Sequence, residues 1–172
     1  MPRVEDLAHD VTVLILGGGR GARLHPLTMH RSKPAVPIAA KYRLIDIPLS
    51  NAINSGFRRI FVLTQYKSIS LARHLRRGWG FLSYALGEFI ENVPAQQRLG
   101  ESWYRGTADA IWQNVYLLEQ LSPEHVLILS GDHVYTMDYN RIVRFHRAAG
   151  ADVTLCVQER PIEEGPSLGV LE

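Results

Sequence analysis

VTVLIL (Val11–Leu16) runs without a break into GGGRGARL (Gly17–Leu24), and this junction sets the architecture that we predict for the 172-residue chain. A continuous β-branched and leucine run bounded by glycines is typical of a strand buried on both faces of a parallel sheet. The glycines after it let the backbone approach a ligand closely and present amide groups to phosphate oxygens. The junction therefore predicts an α/β protein whose first strand ends at a ligand-binding loop.

Further apolar runs and helical patterns alternate along the rest of the chain. Strands are predicted at Ile60–Thr64, His125–Leu129 and Asp152–Val157. Helices are predicted near Leu44–Ser55, Ser68–Arg77, Thr107–Gln120 and Tyr139–Ala149. Because crossovers between parallel strands are right-handed, this order predicts a Rossmann-like fold, with a mostly parallel sheet and helices on both faces.

The chain is expected to be one domain, with residues 1–10 as an amino-terminal extension and 11–172 as an incomplete α/β unit. The stretch 78–105 is rich in glycine and irregular, which predicts long loops beside a site. Gly169–Leu171 looks like a strand that no helix follows. We therefore expect a fragment of a longer protein.

Composition limits the classes of partner. The 19 basic and 17 acidic residues leave a net charge of +2, so neither a nucleic-acid nor a membrane partner is expected. The amino terminus lacks a signal peptide and no apolar run could span a bilayer, which predicts a cytoplasmic protein. The single cysteine, Cys156, lies in an apolar alternation and is expected in the core. A small-molecule partner is the expectation that follows.

The glycine-rich loop predicts phosphate binding by Gly17, Gly18, Gly19 and Gly21, and Arg23 adds a guanidinium group suited to phosphate. The loop is neither a Walker A motif nor a dinucleotide-binding Gly-x-Gly-x-x-Gly followed by an acidic residue. A Rossmann dehydrogenase is disfavoured for that reason. An ordinary tight turn is the alternative interpretation.

Two charged residues outside the loop have the chemistry of a nucleotide site. Lys33 precedes Pro34, which restricts the backbone and so limits where the ammonium group can point. Asp132 directly follows a predicted core strand, at the sheet edge where α/β sites form, and could hold Mg²⁺. A solvated lysine and a helix-capping aspartate are the alternatives.

The glycine loop at Gly17–Leu24 and the Lys33-Pro34 pair that follows it resemble the signature of nucleoside-diphosphate-sugar pyrophosphorylases. Seven further segments resemble the ADP-glucose-forming branch, the glucose-1-phosphate adenylyltransferases, so that the likeness covers nearly all of Val11–Glu172. These segments are Tyr42–Asp46, Leu49–Asn51, Asn54–Gly56, Leu63–Tyr66, Pro94–Arg98, Trp103–Ala110 and Gly131–Tyr135.

The resemblance implies transfer of the adenylyl group of ATP to glucose 1-phosphate, with pyrophosphate as the leaving group and Mg²⁺ as cofactor. It implies catalytic roles for Arg23, Lys33 and Asp132, the last also as the metal ligand. The other residues to which the resemblance or the loop chemistry points fall into four groups. They are Gln96, Gln97, Gly106, Thr107 and Asp109 for the nucleotide, Tyr104 and Gly169 for the sugar phosphate, Gln65 and Trp103 for regulatory communication, and Arg31 and Arg43 for an effector site.

Several alternatives remain open from the residues. Thr107 could simply cap the helix that it begins. A sibling enzyme that uses UTP, dTTP or GTP shares the glycine loop and Lys33, and a non-catalytic regulatory subunit is a second reading. His30 stands where some bacterial members have lysine, so the effector is not identified. The resemblance also implies a homotetramer at full length, with a second metal-binding aspartate and a β-helix beyond Glu172.

Overall fold

The structure, a computed structural model, describes residues 9–19, 21–98 and 103–167. Its strands are β1 (Val11–Leu16), β2 (Pro37–Ile38), β3 (Tyr42–Arg43), β4 (Arg59–Thr64), β5 (Phe89–Pro94) and β6 (His125–Ser130). Four of them form a parallel sheet in the order β5-β4-β1-β6, while β2 and β3 pair as a small antiparallel ribbon. The predicted α/β class with a parallel sheet is confirmed.

The helices are α1 (Asp46–Asn54), α2 (Ile69–Gly78), α3 (Thr107–Trp112), α4 (Val115–Leu121) and α5 (Asn140–Ala149). Short 3₁₀ turns occur at Ala22–Leu24, Lys33–Ala35, Tyr84–Leu86 and Ile162–Ser167. In the described part of the chain, no helix has both the length and the apolar character that crossing a membrane requires.

The helix that the sequence predicts at Thr107–Gln120 is interrupted and forms α3 and α4. The buried Asn114 lies between them and donates its side-chain amide to the Ala110 carbonyl oxygen at 2.7 Å. An asparagine side chain that bonds the backbone in this way competes with the regular helical ladder. The apolar face of the predicted helix is kept on both sides of the interruption, because Ile111, Leu117 and Leu118 still pack against the sheet.

The central strand β1 is buried on both faces, as its composition predicts. Val11, Val13 and Ile15 are fully buried in one core, where α1, α2 and α5 cover the sheet. Leu14 points into a second core, where α3 and α4 cover the opposite face. The predicted placement of helices on both faces is thereby confirmed.

The predicted strand at Asp152–Val157 is wrong, and Cys156 is exposed rather than in the core. An alternating apolar pattern forms a strand only where a neighbouring strand supplies backbone hydrogen bonds. No described residue pairs with this segment, and Thr154 instead contacts His146 of α5 through their side chains at 2.8 Å. The predicted strand at Gly169–Leu171 lies outside the described residues.

The amino-terminal end of β6 carries a cluster of charged and titratable groups. Arg147 of α5 donates from Nε to His125 Nε2 at 2.9 Å, and its Nη2 pairs with Asp10 and Glu124. The His146 ring meets the His125 ring edge-on, with centroids 5.0 Å apart. Burial, and after it the positive charge of Arg147, lowers the pKa of His125 below its usual value.

Protonation of His125 is therefore expected to destabilise the fold. The unfolded chain binds the proton more readily, so the free energy of unfolding falls as pH drops below about 6.5. We expect a smaller loss of stability between about pH 7.5 and about pH 5.5 in His125→Gln, whose amide oxygen can accept the Arg147 hydrogen bond. Urea unfolding at the two pH values measures the difference. The exposed His30→Gln should behave as the parent, and an undiminished pH dependence in His125→Gln would contradict the assignment.

Candidate functional site

The register of the sheet places the ends of three strands side by side. Leu16 of β1 lies between Leu63 of β4 and Ser130 of β6. Two backbone hydrogen bonds continue the ladder by one residue, from Gly17 N to Leu63 O at 2.8 Å and from Gly131 N to Leu16 O at 3.0 Å. The glycine loop and the residues after β6 therefore leave the sheet at the same carboxyl-terminal edge, where ligands of open α/β sheets bind.

Gly131 permits this close approach. A Cβ atom at this position would lie 2.8 Å from the Leu16 carbonyl oxygen, 3.2 Å from Ile45 Cδ1 and 3.3 Å from Pro34 Cγ. The backbone in front of Asp132 thus packs directly against the turn that contains Lys33. Tight packing at Gly131 is what brings these two regions of the chain together.

Lys33 Nζ contacts Asp132 Oδ2, and Ser130 Oγ donates to Asp132 Oδ1 at 2.5 Å. Lys33 lies in a 3₁₀ turn, which is anchored by a hydrogen bond from Ile45 N to Pro34 O at 3.0 Å. Burial acts to raise the pKa of Asp132, but the hydrogen bonds from Lys33 and Ser130 outweigh it and hold the pKa below its usual value. Asp132 is thus a carboxylate at neutral pH.

The segment between the glycine loop and Lys33 is held from two sides. Gly21 has φ 67°, and a Cβ there would lie 2.8 Å from Thr28 Cγ2 and 3.0 Å from Lys33 Cβ. Thr28 Oγ1 donates to the Gly21 carbonyl oxygen at 2.9 Å. Lys67 Nζ donates to the carbonyl oxygens of Thr28 and Met29 at 3.1 and 2.7 Å. The sequence contains no pattern that predicts this role of Lys67.

A cavity of about 690 Å³ opens at this edge of the sheet, within the size range of small-molecule sites. Eight of the residues that the sequence predicts line it. They are Gly18, Gly19, Lys33, Gln65, Tyr104, Gly106, Thr107 and Asp132. Packing of the described residues gives no reason for glycine at position 19, because a Cβ there would meet no atom within 4 Å. Close approach of a ligand supplies one.

Other predicted residues lie outside the described lining of the cavity. Arg23 is exposed on the Ala22–Leu24 turn, and Trp103 is 53% exposed. Gln96 donates from Nε2 to the Pro94 carbonyl oxygen at 3.1 Å, and Gln97 follows it with φ 52°. Gly169 lies outside the described residues. Contact of these residues with a ligand stays a prediction.

Asp109 has structural partners at the start of α3. Its Oδ2 accepts hydrogen bonds from Arg105 N and from Gln113 Nε2, both at 2.9 Å. The Arg105 backbone bond is the main cause that keeps the pKa of Asp109 below its usual value. The alternative in which Thr107 caps this helix is wrong, because Gly106 occupies the cap position and Thr107 is the first helical residue. Gly106 and Thr107 instead face the cavity.

Tyr104 is half-buried at the wall of the cavity. Its hydroxyl oxygen accepts a hydrogen bond from Asn114 Nδ2 at 2.8 Å. Burial raises the pKa of Tyr104 against the effect of the Asn114 hydrogen bond. The phenol is therefore neutral over the physiological range and can donate its proton to an acceptor in the cavity.

Arg31 and Arg43 form a basic pair away from the described lining of the cavity. Burial, and after it the charge of Arg31, lowers the pKa of Arg43. Arg43 Nη1 donates to the Ala35 carbonyl oxygen at 3.1 Å and to Ser70 Oγ at 2.7 Å. Arg43 joins the turn after Lys33 to the start of α2, and the role of the two arginines toward an effector stays a prediction.

Three residues of the site were not singled out from the sequence. Ser130, Tyr66 and Arg105 line the cavity, and Arg105 adds a second positively charged residue to the lining that contains Lys33. Ser130 could have been found from its place at the end of a core strand, two residues before Asp132. A second cavity, of about 560 Å³ between α2 and β5, contains none of the predicted site residues.

Among the described residues, no group of three His, Cys, Asp or Glu side chains is arranged so that it could hold a metal ion. A metal ion held by Asp132 would take its other ligands from substrate, from water or from the second aspartate that the family resemblance implies beyond Glu172. Mg²⁺ commonly binds proteins in this way, through one or two carboxylates together with phosphate oxygens. Asp132 supplies one carboxylate, whose oxygen atoms are hard donors, and this fits that pattern.

A parallel α/β sheet with a glycine loop, a lysine and a carboxylate at its carboxyl edge defines a nucleotide-binding class of protein. The family model described as nucleotidyl transferase matches residues 12–172. The chain belongs to this nucleotidyl transferase family.

Curated relatives are similar over almost the whole chain. Glucose-1-phosphate adenylyltransferase of Methylococcus capsulatus is 53% identical over 169 residues, which are 98% of this chain and 40% of the relative. The protein of the same name from Nitrosococcus oceani is 54% identical, and glucose-1-phosphate adenylyltransferase 2 of Alkalilimnicola ehrlichii is 56% identical, each over 98% of this chain and 40% of the relative. The chain spans about 40% of the length of these relatives.

The close packing at Gly131 makes a methyl group there costly. We expect Gly131→Ala to lower the free energy of unfolding by about 1–3 kcal/mol, because the new Cβ would meet the backbone oxygen of Leu16. Urea unfolding measures the loss. Gly78→Ala, where a Cβ would meet nothing within 4 Å, is the matched control and should lose no stability, since alanine also favours the helix that Gly78 ends. Equal unfolding midpoints for the two variants would show that Gly131 is not under this constraint.

Proposed function

We propose that the chain carries the nucleotide end of an active site that forms ADP-glucose and pyrophosphate from ATP and glucose 1-phosphate. The observation that carries the proposal is the contact between Lys33 and Asp132. Both residues line a cavity of about 690 Å³ together with Gly18 and Gly19 of the glycine loop. The printed names of relatives that match 98% of the chain support the choice of substrates.

The reaction is a displacement at phosphorus. A phosphate oxygen of glucose 1-phosphate attacks the α-phosphorus of ATP, a new P–O bond forms, and the bond to the bridging oxygen of the β-phosphate breaks. Pyrophosphate leaves with that bonding pair, so no covalent enzyme intermediate is needed. The protein must hold two polyanions in line and neutralise the charge that builds on the leaving group.

The residues of the cavity have the chemistry for this task. Lys33 and Arg105 bring positive charge to the cavity, while Gly18 and Gly19 leave its floor free of side chains for close approach of phosphate groups. Asp132 would hold Mg²⁺, which supplies Lewis-acid neutralisation of phosphate charge when bound. Tyr104 presents a neutral hydroxyl group at the wall, suited to a sugar or phosphate oxygen.

Adenine selection is assigned to the segment after β5. Ala95 N donates to the Thr64 carbonyl oxygen at 2.8 Å, so Gln96 and Gln97 leave the sheet at the same edge as the cavity. The Gln96 amide has the donor and acceptor groups that read the edge of a base. Its contact with the Pro94 carbonyl oxygen uses one of the two N–H donors of that amide.

The proposal extends to the regulation, the assembly and the cellular location of the full-length protein. The closeness of the Arg31 and Arg43 charges supports an anionic effector between the Lys33 turn and α2. Arg23, Gln65 and Trp103 keep the roles that the family resemblance implies. A homotetramer at full length and a cytoplasmic location stay predictions from the resemblance and the composition.

The activity can be tested in an extended protein, in which this chain is continued by the remaining length of the Methylococcus capsulatus relative. We expect pyrophosphate release from ATP and glucose 1-phosphate in the presence of Mg²⁺, and much slower release with UTP or dTTP. A coupled phosphate assay measures both rates. Equal rates with UTP would favour a sibling transferase, and no release with any nucleotide would favour a regulatory subunit.

Replacement of Asp132 tests its catalytic role. In the extended protein, Asp132→Asn keeps the size of the side chain but weakens metal binding, so we expect a loss on the order of 3 kcal/mol of transition-state stabilisation, or roughly a hundredfold in turnover. Steady-state kinetics at saturating substrates measures it. The control Asp152→Asn removes an exposed carboxylate and should leave turnover unchanged. Parent turnover in Asp132→Asn would exclude the proposed role.

A further inference from the structure

Asp132 lies on a segment without regular secondary structure. Residues 133–138 belong to neither a helix nor a strand, and they connect β6 to α5. On its amino-terminal side, Asp132 is fixed through the hydrogen bond from Gly131 N to Leu16 O. A carboxylate that must face a ligand needs a second fixed point on its other side.

That second point is a side chain of α1. Asn51 Nδ2 donates to the Tyr135 carbonyl oxygen at 2.8 Å and lies 3.5 Å from the Tyr139 hydroxyl. Asn51 is only 7% exposed. A buried amide that donates to a backbone carbonyl of a loop fixes that loop, because the unsatisfied carbonyl would be costly.

A neighbouring contact keeps α1 and the end of the segment in register. The Tyr139 backbone N–H donates to Ser55 Oγ at 2.8 Å, and Ser55 Oγ donates in turn to the Asn51 carbonyl oxygen at 2.7 Å. Asn140 Nδ2 also donates to the Ser55 carbonyl oxygen. Tyr139 is fully buried. The start of α5 is therefore held independently of the Asn51 amide, so that Asn51 can be changed while the helices stay packed.

We propose that Asn51 is a positioning residue for Asp132: its amide holds the Tyr135 carbonyl and thereby fixes the carboxylate toward the cavity. The inference rests on the proposed function, since it assigns Asp132 as the metal ligand. Only residues 132–134 separate the two anchored points, so loss of the Tyr135 carbonyl contact leaves the Asp132 backbone fixed on its amino-terminal side and its carboxylate held only by Lys33 and Ser130. The carboxylate then samples more orientations, and a bound cation loses affinity.

The test compares Mn²⁺ binding in four forms of the extended protein: the parent, Asn51→Ala, Asp132→Asn and the double variant. Mn²⁺ titration followed by electron paramagnetic resonance reports affinity without any turnover. Changes to residues that orient a metal ligand weaken metal binding by about 10–100-fold, and we expect at least the lower figure for Asn51→Ala. In the Asp132→Asn background, the same change should have no further effect.

The matched control is Asn54→Ala, which removes the same side chain from an exposed position on the same helix and should bind Mn²⁺ as the parent does. Kinetics supply a second readout: the Mg²⁺ concentration for half-maximal pyrophosphate release should rise in Asn51→Ala, while the KM for glucose 1-phosphate stays near the parent value. Where Asn51→Ala does not fold, as judged by circular dichroism, Asn51→Ser replaces it, since its hydroxyl group is too short to reach the carbonyl.

The outcomes distinguish the metal-binding role of Asp132 from the positioning role of Asn51. Parent affinity for Mn²⁺ in Asp132→Asn removes the metal role of Asp132, and the positioning role falls with it. A loss in Asp132→Asn together with parent affinity in Asn51→Ala overturns the positioning role alone. Equal losses from Asn51→Ala in both backgrounds also overturn it, because they show a general effect on folding that does not pass through Asp132.

Discussion

The parallel register of β1 between β4 and β6 is the constraint on which the site depends. Because Leu16 is level with both Leu63 and Ser130, the chain leaves all three strands at one edge. Each strand then contributes a different group: backbone from the glycine loop, a polar side chain from Gln65 and a carboxylate from Asp132. The hydrophobic cores on the two faces of β1 maintain this register, since a shift along the strand would expose buried residues.

The contact between Lys33 and Asp132 joins two loops that are far apart in the chain. Both side chains stay partly exposed, at 33% and 24%, and ion pairs of that kind contribute little to stability. Its importance is positional: packing of Pro34 against Gly131 puts the two charges together before any ligand arrives. A site that is assembled in advance need not spend binding energy on ordering its own side chains.

Local patterns predicted the strands β1, β4 and β6 and the helices α1, α2 and α5, because burial on one or two faces leaves a periodic trace in the sequence. They failed at Asp152–Val157, where alternation is present but no described strand pairs with it. They also failed at Asn114, whose side chain interrupts a helix through a contact with the backbone. In both segments, the secondary structure depends on which backbone or side-chain group of the folded chain lies nearby.

By itself, the sequence determined the α/β class and the family, and it predicted phosphate chemistry at the loop, since glycine, lysine and aspartate at strand ends carry that information in their types and spacing. Tertiary structure alone decided which candidates share a cavity: Gly18, Lys33 and Asp132 do, whereas Arg23 and Trp103 are exposed outside its described lining. It also decided the supporting contacts of Lys67 and Asn51. These are single hydrogen bonds between distant segments, and a contact of that kind leaves no periodic pattern from which it could be predicted.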